Sequence, residues 1–320
     1  MVKYFMGIDT SAYTTSLAIV DNKGRIVFNY KKVLDVNKGK RGLRQQEAVF
    51  QHINNFPTII NDVTNKINLK HLYAVGSTDK PRNVKGSYMP VFNVSKNQGY
   101  IISRLLNTKN YNFSHQEGHI AAGLYDIKND YSRFLSLHIS GGTTEILLVE
   151  KSNNRYEADI IGGTKDISAG QLIDRIGVKL GLGFPSGAYI DDLSKKGQPF
   201  EKIPVSTQDA WINLSGPETF FNKRINEKKY SKEDISISVL ECVLKSLSRA
   251  LISSIKYYPK VDFILVVGGV ASNCYIRSEL FNIIKRETGK DIIFSKPELS
   301  TDNAVGIALM TKDAYEKEVN

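Results

Sequence analysis

Two stretches of the chain share one design. Residues 4–21, YFMGIDTSAYTTSLAIVD, read as a strand, a tight Thr/Ser turn and a returning strand, and GRIVFNYKKVL continues as a third. Residues 133–150, RFLSLHISGGTTEILLVE, repeat the plan around a Ser-Gly-Gly-Thr-Thr turn, with RYEADIIGG (155–163) as the third strand. The recurrence is one of pattern rather than of letters. A strand-rich opening that occurs twice, each time followed by helical segments, predicts a duplicated α/β fold. The halves are expected to divide near residue 110, as domains 1–110 and 111–320, with the last helix placed to pack back on the first.

The segments between the hairpins complete the layers. EAVFQHINNFPTIINDVTNKI (47–67) has helical periodicity and is expected to bend or break at Pro57. HLYAVGST (71–78) reads as a strand and SKNQGYIISRLL (95–106) as a helix. Further helices are expected at 167–182 and 232–257. VDFILVVGGVASN (261–273) is a buried strand ending in a glycine turn, and CYIRSELFNIIKRE (274–287) is the helix it feeds. TDNAVGIALMTKDAYEK (301–317) closes the chain as a helix with Asp302 near its N-terminus, where a carboxylate is favoured.

Composition narrows the partners. There are 43 Lys+Arg against 33 Asp+Glu in 320 residues, a net charge of +10. A basic surplus of that size points to a polyanion such as RNA, with a merely solvated cationic surface as the alternative. Cys242 and Cys274 form no C-x-x-C pair, which argues against a disulfide framework or a zinc knuckle. MVKYFMGID reads as a strand and not as a secretory signal, and no apolar run is long enough to span a bilayer. The expectation is a soluble, cytoplasmic protein with no membrane and no DNA partner.

Several loops have the makings of a site. DTSAYTTS (9–16) and SGGTTE (140–145) offer backbone N–H groups and hydroxyls in turns with little side-chain bulk, which suits a phosphate. Either one alone is equally a plain hairpin; both at matching places favour the ligand. In VVGGVASN, Gly268 and Gly269 would let a flat ligand approach the main chain, with Asn273 placed to hydrogen-bond it. These loops, at carboxyl ends of strands, are expected to line one crevice. In 162–192, Asp166 stands at a helix start and Asp174 within that helix, and Gly181, Gly183 and Gly187 surround Pro185 as in a loop pressed against a ligand.

FSHQEGHIAAG (113–123) places His115 and His119 one helical turn apart. A zinc protease of the H-E-x-x-H type needs its glutamate directly after the first histidine. Here Glu117 is two residues on, roughly 200° around the helix, and points away from the shared face. The protease reading fails on that geometry. A metal site, or a cap or core pair of histidines, both remain open.

Taken together and in order, these segments resemble the tRNA threonylcarbamoyladenosine synthase family, the TsaD-type proteins formerly named O-sialoglycoprotein endopeptidases. GIDTSAYTT is similar to the family's first phosphate hairpin, HQEGHIAAG to its H-x-E-G-H metal helix and ISGGTTEI to its SGGHTQL turn. TKDISAGQLIDRIGVKLGLGFPSG is similar to its long D-D-A-x-G-E-A-F-D-K…P-G-G signature, and INLSGPET falls where it has F-S-F-S-G-L-K-T. VVGGVASN and STDNAVGIA match its nucleotide and final metal motifs.

The resemblance implies an α/β fold of the actin/sugar-kinase (ASKHA) type, two ribonuclease-H-like domains with a central nucleotide cleft. It implies one divalent ion, iron or zinc, held by His115, His119 and Asp302. It further implies an adenine nucleotide or threonylcarbamoyl-AMP contacted by Ser11, His138, Ile139, Ser140, Gly141, Gly142, Asp174, Gly187, Gly268, Gly269 and Asn273, with Asp9 and Ser140 as catalytic candidates. The reaction would be threonylcarbamoyl transfer to the N6 amine of the adenosine next to the anticodon of ANN-decoding tRNAs. Partners would be tRNA, a paralogous subunit and a small ATPase.

The chain also departs from the family's pattern. Tyr13-Thr14 stands where an acidic pair is usual, Thr143 replaces the histidine of SGGHT, and Ile167 and Gln171 replace an aspartate and a glutamate. GSTDKPRNVKGSYMP occupies the place of a glycine-rich A-x-x-x-G-P-G-L stretch. A divergent enzyme is the first reading. A non-catalytic paralogue acting as a nucleotide- and metal-binding scaffold is the alternative, together with a carbamoyltransferase for a small molecule.

Overall fold

The computed structural model describes residues 2–11, 13–36, 43–125, 127, 131–152 and 155–319. The chain divides into two compact units, Met1–Lys128 with Lys151–Glu157 and Asp302–Asn320, and Asn129–Glu150 with Ala158–Thr301.

The first unit is built on β1 (Tyr4–Thr10), β2 (Thr14–Asp21) and β3 (Ile26–Val33), an antiparallel meander. Beside β1 lies β4 (Leu72–Lys80), then β5 (Lys109–Ser114), both parallel, giving the order β3-β2-β1-β4-β5. Its helices are α1 (Gln45–Lys66), α2 (Phe92–Leu105), α3 (His115–Gly123) and, from the far end of the chain, α10 (Val305–Val319). Because side chains alternate across a strand, β1 serves two layers. Met6 and Ile8 join Phe56, Ile59 and Val63 of α1 and Val94 of α2 in one apolar cluster. Phe5 and Gly7, on the other face, meet α10. The Phe5 ring lies 5.4 Å from that of Tyr315, and a Cβ at Gly7 would overlap the backbone at Ala304 and Ala308.

The boundary read near residue 110 falls within β5, whose hydrogen bonds to β4 carry the first unit on through α3. α1 is one unbroken helix despite Pro57. Pro57 faces solvent while Phe56, Ile59 and Val63 pack on the sheet, so the missing N–H leaves a carbonyl that water can reach.

The second unit repeats the plan with β6 (Arg133–Ile139), β7 (Thr144–Ser152), β8 (Arg155–Thr164), β11 (Phe263–Val267) and β12 (Asp291–Phe294). Its sheet order is β12-β11-β6-β7-β8-β10-β9, with the short strands β9 (Ser206–Gln208) and β10 (Trp211–Asn213) added beyond β8. The run β8-β7-β6-β11-β12 matches β3-β2-β1-β4-β5 strand for strand, with parallel pairing of β6 to β11 and of β11 to β12. The expected duplication is therefore one of topology. Helices α4 (Ala169–Lys179), α5 (Gly187–Ser194), α6 (Ser215–Glu227), α7 (Lys232–Tyr257), α8 (Cys274–Thr288) and α9 (Pro297–Ser300) complete it. α7 is its central column, and Ile235, Val239, Val243, Leu247 and Leu251 share a cluster with Leu135 and Leu137 of β6 and Ile276 and Leu280 of α8. Among the described residues no helix is long and apolar enough to cross a membrane.

α10 reaches the first unit by backbone contact. A Cβ at Gly306 would overlap the Gly118 carbonyl of α3, and one at Gly76 would overlap the Thr311 side chain. Gly306→Ala is expected to lose about 1–3 kcal/mol in urea unfolding, the range for overpacking. Gly187→Ala, with open space around the added carbon, should stay within ~0.5 kcal/mol of the parent.

Candidate active site

The site residues of the first unit are placed by β1, α3 and the turn before α10. α3 starts with a capping box. Ser114 Oγ accepts from the Glu117 N–H at 3.2 Å, and Glu117 Oε2 accepts from the Ser114 N–H at 2.8 Å. The same buried carboxylate receives Arg155 Nε at 2.8 Å and Nη2 at 3.2 Å, and the Arg155 guanidinium lies 4.9 Å from the Phe113 ring centroid. Glu117 thus fixes the helix start from the side away from the histidines. The Ser114-x-x-Glu117 spacing is the sequence signal of that cap.

On the opposite face, the two Nε2 atoms of His115 and His119 stand 3.1 Å apart. Asp302 Oδ1 lies 3.1 Å from His119 Nε2 and 3.6 Å from His115 Nε2. One ligand atom from each of the three residues falls within 4.8 Å of the others. Asp302 sits in the turn ahead of α10, which begins at Val305, and not in the helix's first turn. Around this trio, the Asp9 carboxylate oxygens lie 3.0 and 3.1 Å from His115 Nδ1, and Ser11 Oγ donates to Asp302 Oδ2 at 2.6 Å.

Two imidazole nitrogens and a carboxylate oxygen facing one point make a donor set that could hold a divalent ion. The electrostatics agree. Burial opposes a charge on His115, yet the Asp9 and Asp302 carboxylates outweigh it and lift the pKa from 6.5 to about 10. Burial likewise opposes ionisation of Asp302, but its hydrogen bonds with the two histidines and their charge hold the carboxyl well below the usual range. The pocket is built around one positive charge, which a proton or a cation can supply. An Asp9 carboxylate on the far nitrogen of His115 is also the orienting contact that metal-binding imidazoles ordinarily have.

The candidates of the second unit lie at the end of β6, in the turns that follow β6 and β11, within α4, and at the starts of α5 and α8. Ser140 N–H donates to the Thr143 carbonyl at 2.8 Å, while Ser140 Oγ accepts from Thr143 N–H at 3.1 Å and from Gly142 N–H at 3.4 Å. Space is open at Gly141 and Gly142. The turn is stitched to the start of α4: Ser168 Oγ donates to the Gly141 carbonyl at 2.8 Å, and a Cβ at Gly170 would overlap the Ser140 carbonyl. Gly268, at φ 100°, presses against the end of β6, where a side chain would overlap Ile139 and crowd His138. Gly269 lies beside Thr301. Asn273 caps α8, its Oδ1 accepting from Ile276 N–H at 2.9 Å. Asp174 accepts from Ser186 N–H at 2.7 Å, next to Gly187, and its burial raises its pKa.

Asp166, expected at a helix start, lies just before α4 and works as a fastener. It accepts from Ile167 and Leu214 N–H at 2.7 and 2.8 Å, and from Ser215 N–H and Oγ at 3.0 and 2.6 Å.

Comparison with known proteins gives the lineage. The family model for tRNA N6-adenosine threonylcarbamoyltransferase matches residues 26–309. The chain belongs to that family. A relative of that name from Thermosipho africanus is 28% identical over 325 residues, covering 98% of this chain and 95% of the relative. Among solved structures, full-length HypF in the phosphate- and nucleotide-bound form aligns at TM-score 0.61 and 12% identity, over 99% of this chain and 47% of that one. A ROK family glucokinase from Streptomyces griseus in complex with glucose and AMPPNP aligns at TM-score 0.53 and 10% identity, over 95% and 98%. These likenesses show the fold, the actin/sugar-kinase type that the family resemblance implied. The family is one of acyltransferase enzymes, the enzyme class expected above.

Against this family, the departures at Ile167 and Gln171 have structural work, while nothing in the structure explains a threonine side chain at 14 or 143. Gln171 keeps a capping box with Ser168, its Oε1 accepting from Ser168 N–H at 3.1 Å as a carboxylate would. Ile167 packs against the core of the second unit. The Thr14 and Thr143 carbonyls close the two hairpin turns by accepting from Ser11 and Ser140 N–H.

Two outcomes follow. In metal-free protein, Asp9→Asn should move the His115 pKa from about 10 toward 6.5, read by NMR titration of the imidazole. For Asp166, burial is outweighed by the donors from Leu214 and Ser215, and the pKa falls from 3.8 to about 2. The stabilisation it contributes is therefore present above pH 3.8 and lost as the pH falls toward 2, so Asp166→Ala should flatten the acid limb of the unfolding profile between those values.

Proposed function

We propose that this chain modifies tRNA by transferring a threonylcarbamoyl group from threonylcarbamoyl-AMP to the N6 amine of the adenosine next to the anticodon in ANN-decoding tRNAs. The family membership supports the tRNA modification, and the net charge of +10 suits an anionic substrate. The observation that carries the finer reading is the convergence of His115, His119 and Asp302. In the reaction the amine nitrogen bonds to the carbamoyl carbon, the bond from that carbon to the phosphate oxygen breaks, AMP leaves with the electron pair, and the amine proton passes to solvent.

His115, His119 and Asp302 would hold one iron or zinc ion, which when bound supplies a Lewis acid. Asp9 acts through His115, holding its Nδ1 so that Nε2 faces the site. Ser140, Gly141 and Gly142 offer an uncrowded turn for the phosphate, and Gly187, Gly268, Gly269 and Asn273 line the loops assigned to the adenosine. We place the protein in the cytoplasm, working with a paralogous subunit and a small ATPase. The alternative, a scaffold or small-molecule carbamoyltransferase, draws on the uncharged residues at Thr14, Thr143, Ile167 and Gln171.

The test is incubation of the purified chain and its partner subunits with threonylcarbamoyl-AMP and an ANN-decoding tRNA. Modified adenosine by mass spectrometry is expected, and metal chelation or His119→Ala should lower its yield by at least ~100-fold. Metal bound without modified adenosine would overturn the transferase reading in favour of the scaffold.

A further inference from the structure

A line of buried polar contacts runs from α1 to the first hairpin, and the chemistry above leaves it unused. His52 lies on the face of α1 that packs on the sheet and is fully buried. Its Nε2 is 2.8 Å from the Ser11 carbonyl oxygen. A carbonyl only accepts, so Nε2 carries the hydrogen. Its Nδ1 is 2.8 Å from Thr15 Oγ1, and Asn55 Nδ2 donates to that same oxygen at 2.9 Å. The Thr15 hydroxyl, already an acceptor, turns its own hydrogen to Nδ1. Both ring nitrogens of a neutral imidazole are thereby satisfied, and burial, which pushes the pKa of His52 down, keeps it neutral.

The line continues beyond the ring. Ser11 N–H donates to the Thr14 carbonyl at 3.2 Å, and Ser11 Oγ donates to Asp302 Oδ2 at 2.6 Å. That leaves Oδ1 as the oxygen nearest both imidazoles. Asn55, Thr15, His52, Ser11 and Asp302 thus form one directed chain of hydrogen bonds. An apolar residue at position 52 would match its neighbours Phe56 and Ile59; a buried imidazole there is tolerable only because both nitrogens are paired.

We propose that His52 is a positioning residue: by donating to the Ser11 carbonyl it holds the Ser11 hydroxyl on Asp302 and so fixes which carboxylate oxygen turns to His115 and His119. The inference rests on the reading of those three residues as cation ligands. Partners that orient a metal's ligands typically contribute ten- to hundredfold in affinity.

The experiment is a titration of the full-length protein with Co2+ alone, following affinity and the visible absorption bands, with thermal unfolding in parallel. His52→Leu removes both bonds, His52→Gln keeps an N–H near the position of Nε2, and Ser11→Ala cuts the last link with the smallest change of volume. The expected result is about ten- to hundredfold weaker binding with altered bands for His52→Leu and Ser11→Ala, and recovery of most of the affinity in His52→Gln. Should His52→Leu fail to fold, Ser11→Ala and His52→Gln carry the same comparison. Unchanged affinity and bands in Ser11→Ala, or a His52→Gln protein as weak as one lacking the Ser11 hydroxyl, overturn the proposal while the metal reading stands. A parent protein that binds no Co2+ overturns both.

Discussion

The contact on which the first unit depends is the close approach of α10 to β1 and α3. Gly7 and Gly306 let backbone meet backbone, Gly118 leaves room for the Ile307 side chain, and none of these positions admits a Cβ without displacement. Close packing of this kind has few alternatives, because shifting the helix by a fraction of its rise brings carbonyls into collision. The turn that precedes α10 inherits the constraint. Asp302 is delivered to His119 across 183 residues of sequence, with its carboxylate already aimed.

Around that delivered carboxylate the charges are balanced with care for their order. Asp9 and Asp302 flank His115 from its two nitrogens, so the pocket holds more negative than positive charge until a proton or a cation enters. A site that raises proton affinity in this way also raises cation affinity, and the two compete. Ser11 takes up the second oxygen of Asp302, and Glu117 with Arg155 secures the helix start from behind. His115 and Asp302 therefore each have an outer partner on a different element of the same unit.

The second unit shows the same strand order carrying a different kind of turn. Where the first hairpin is locked to a buried histidine, the second is sewn to the N-terminus of α4 through Ser168 and Gly170, which leaves Gly141 and Gly142 open. Gln171 and Ile167 keep a structural role through their side chains, while at Thr14 and Thr143 the backbone carbonyl closes the turn. Glutamine at 171 caps as glutamate would, and threonine at 143 closes the turn through its carbonyl. Divergence here alters side-chain chemistry without loosening the loops.

Local rules made much of this legible in the sequence. The paired hairpins, the helix at 232–257 and the facing imidazoles all follow from periodicity, since a strand alternates sides and a helix returns every turn. The strands at 109–114 and 291–294 escaped that reading, because their partners, not their own patterns, make them strands. Pro57 likewise marked a break that the packing of its neighbours overrode. His52 and Asn55 sit on an apolar helical stripe, and nothing nearby in sequence discloses that Thr15 and Ser11 satisfy them. The sequence by itself determined the alternation that puts Asp9 opposite Met6 and Ile8, and the one-turn spacing of His115 and His119. Only the tertiary structure decided that Asp302 would meet them, and that Asp9 and Ser11 would hold the set in place. Those contacts join segments far apart in the chain, and no local propensity encodes the approach of one backbone to another.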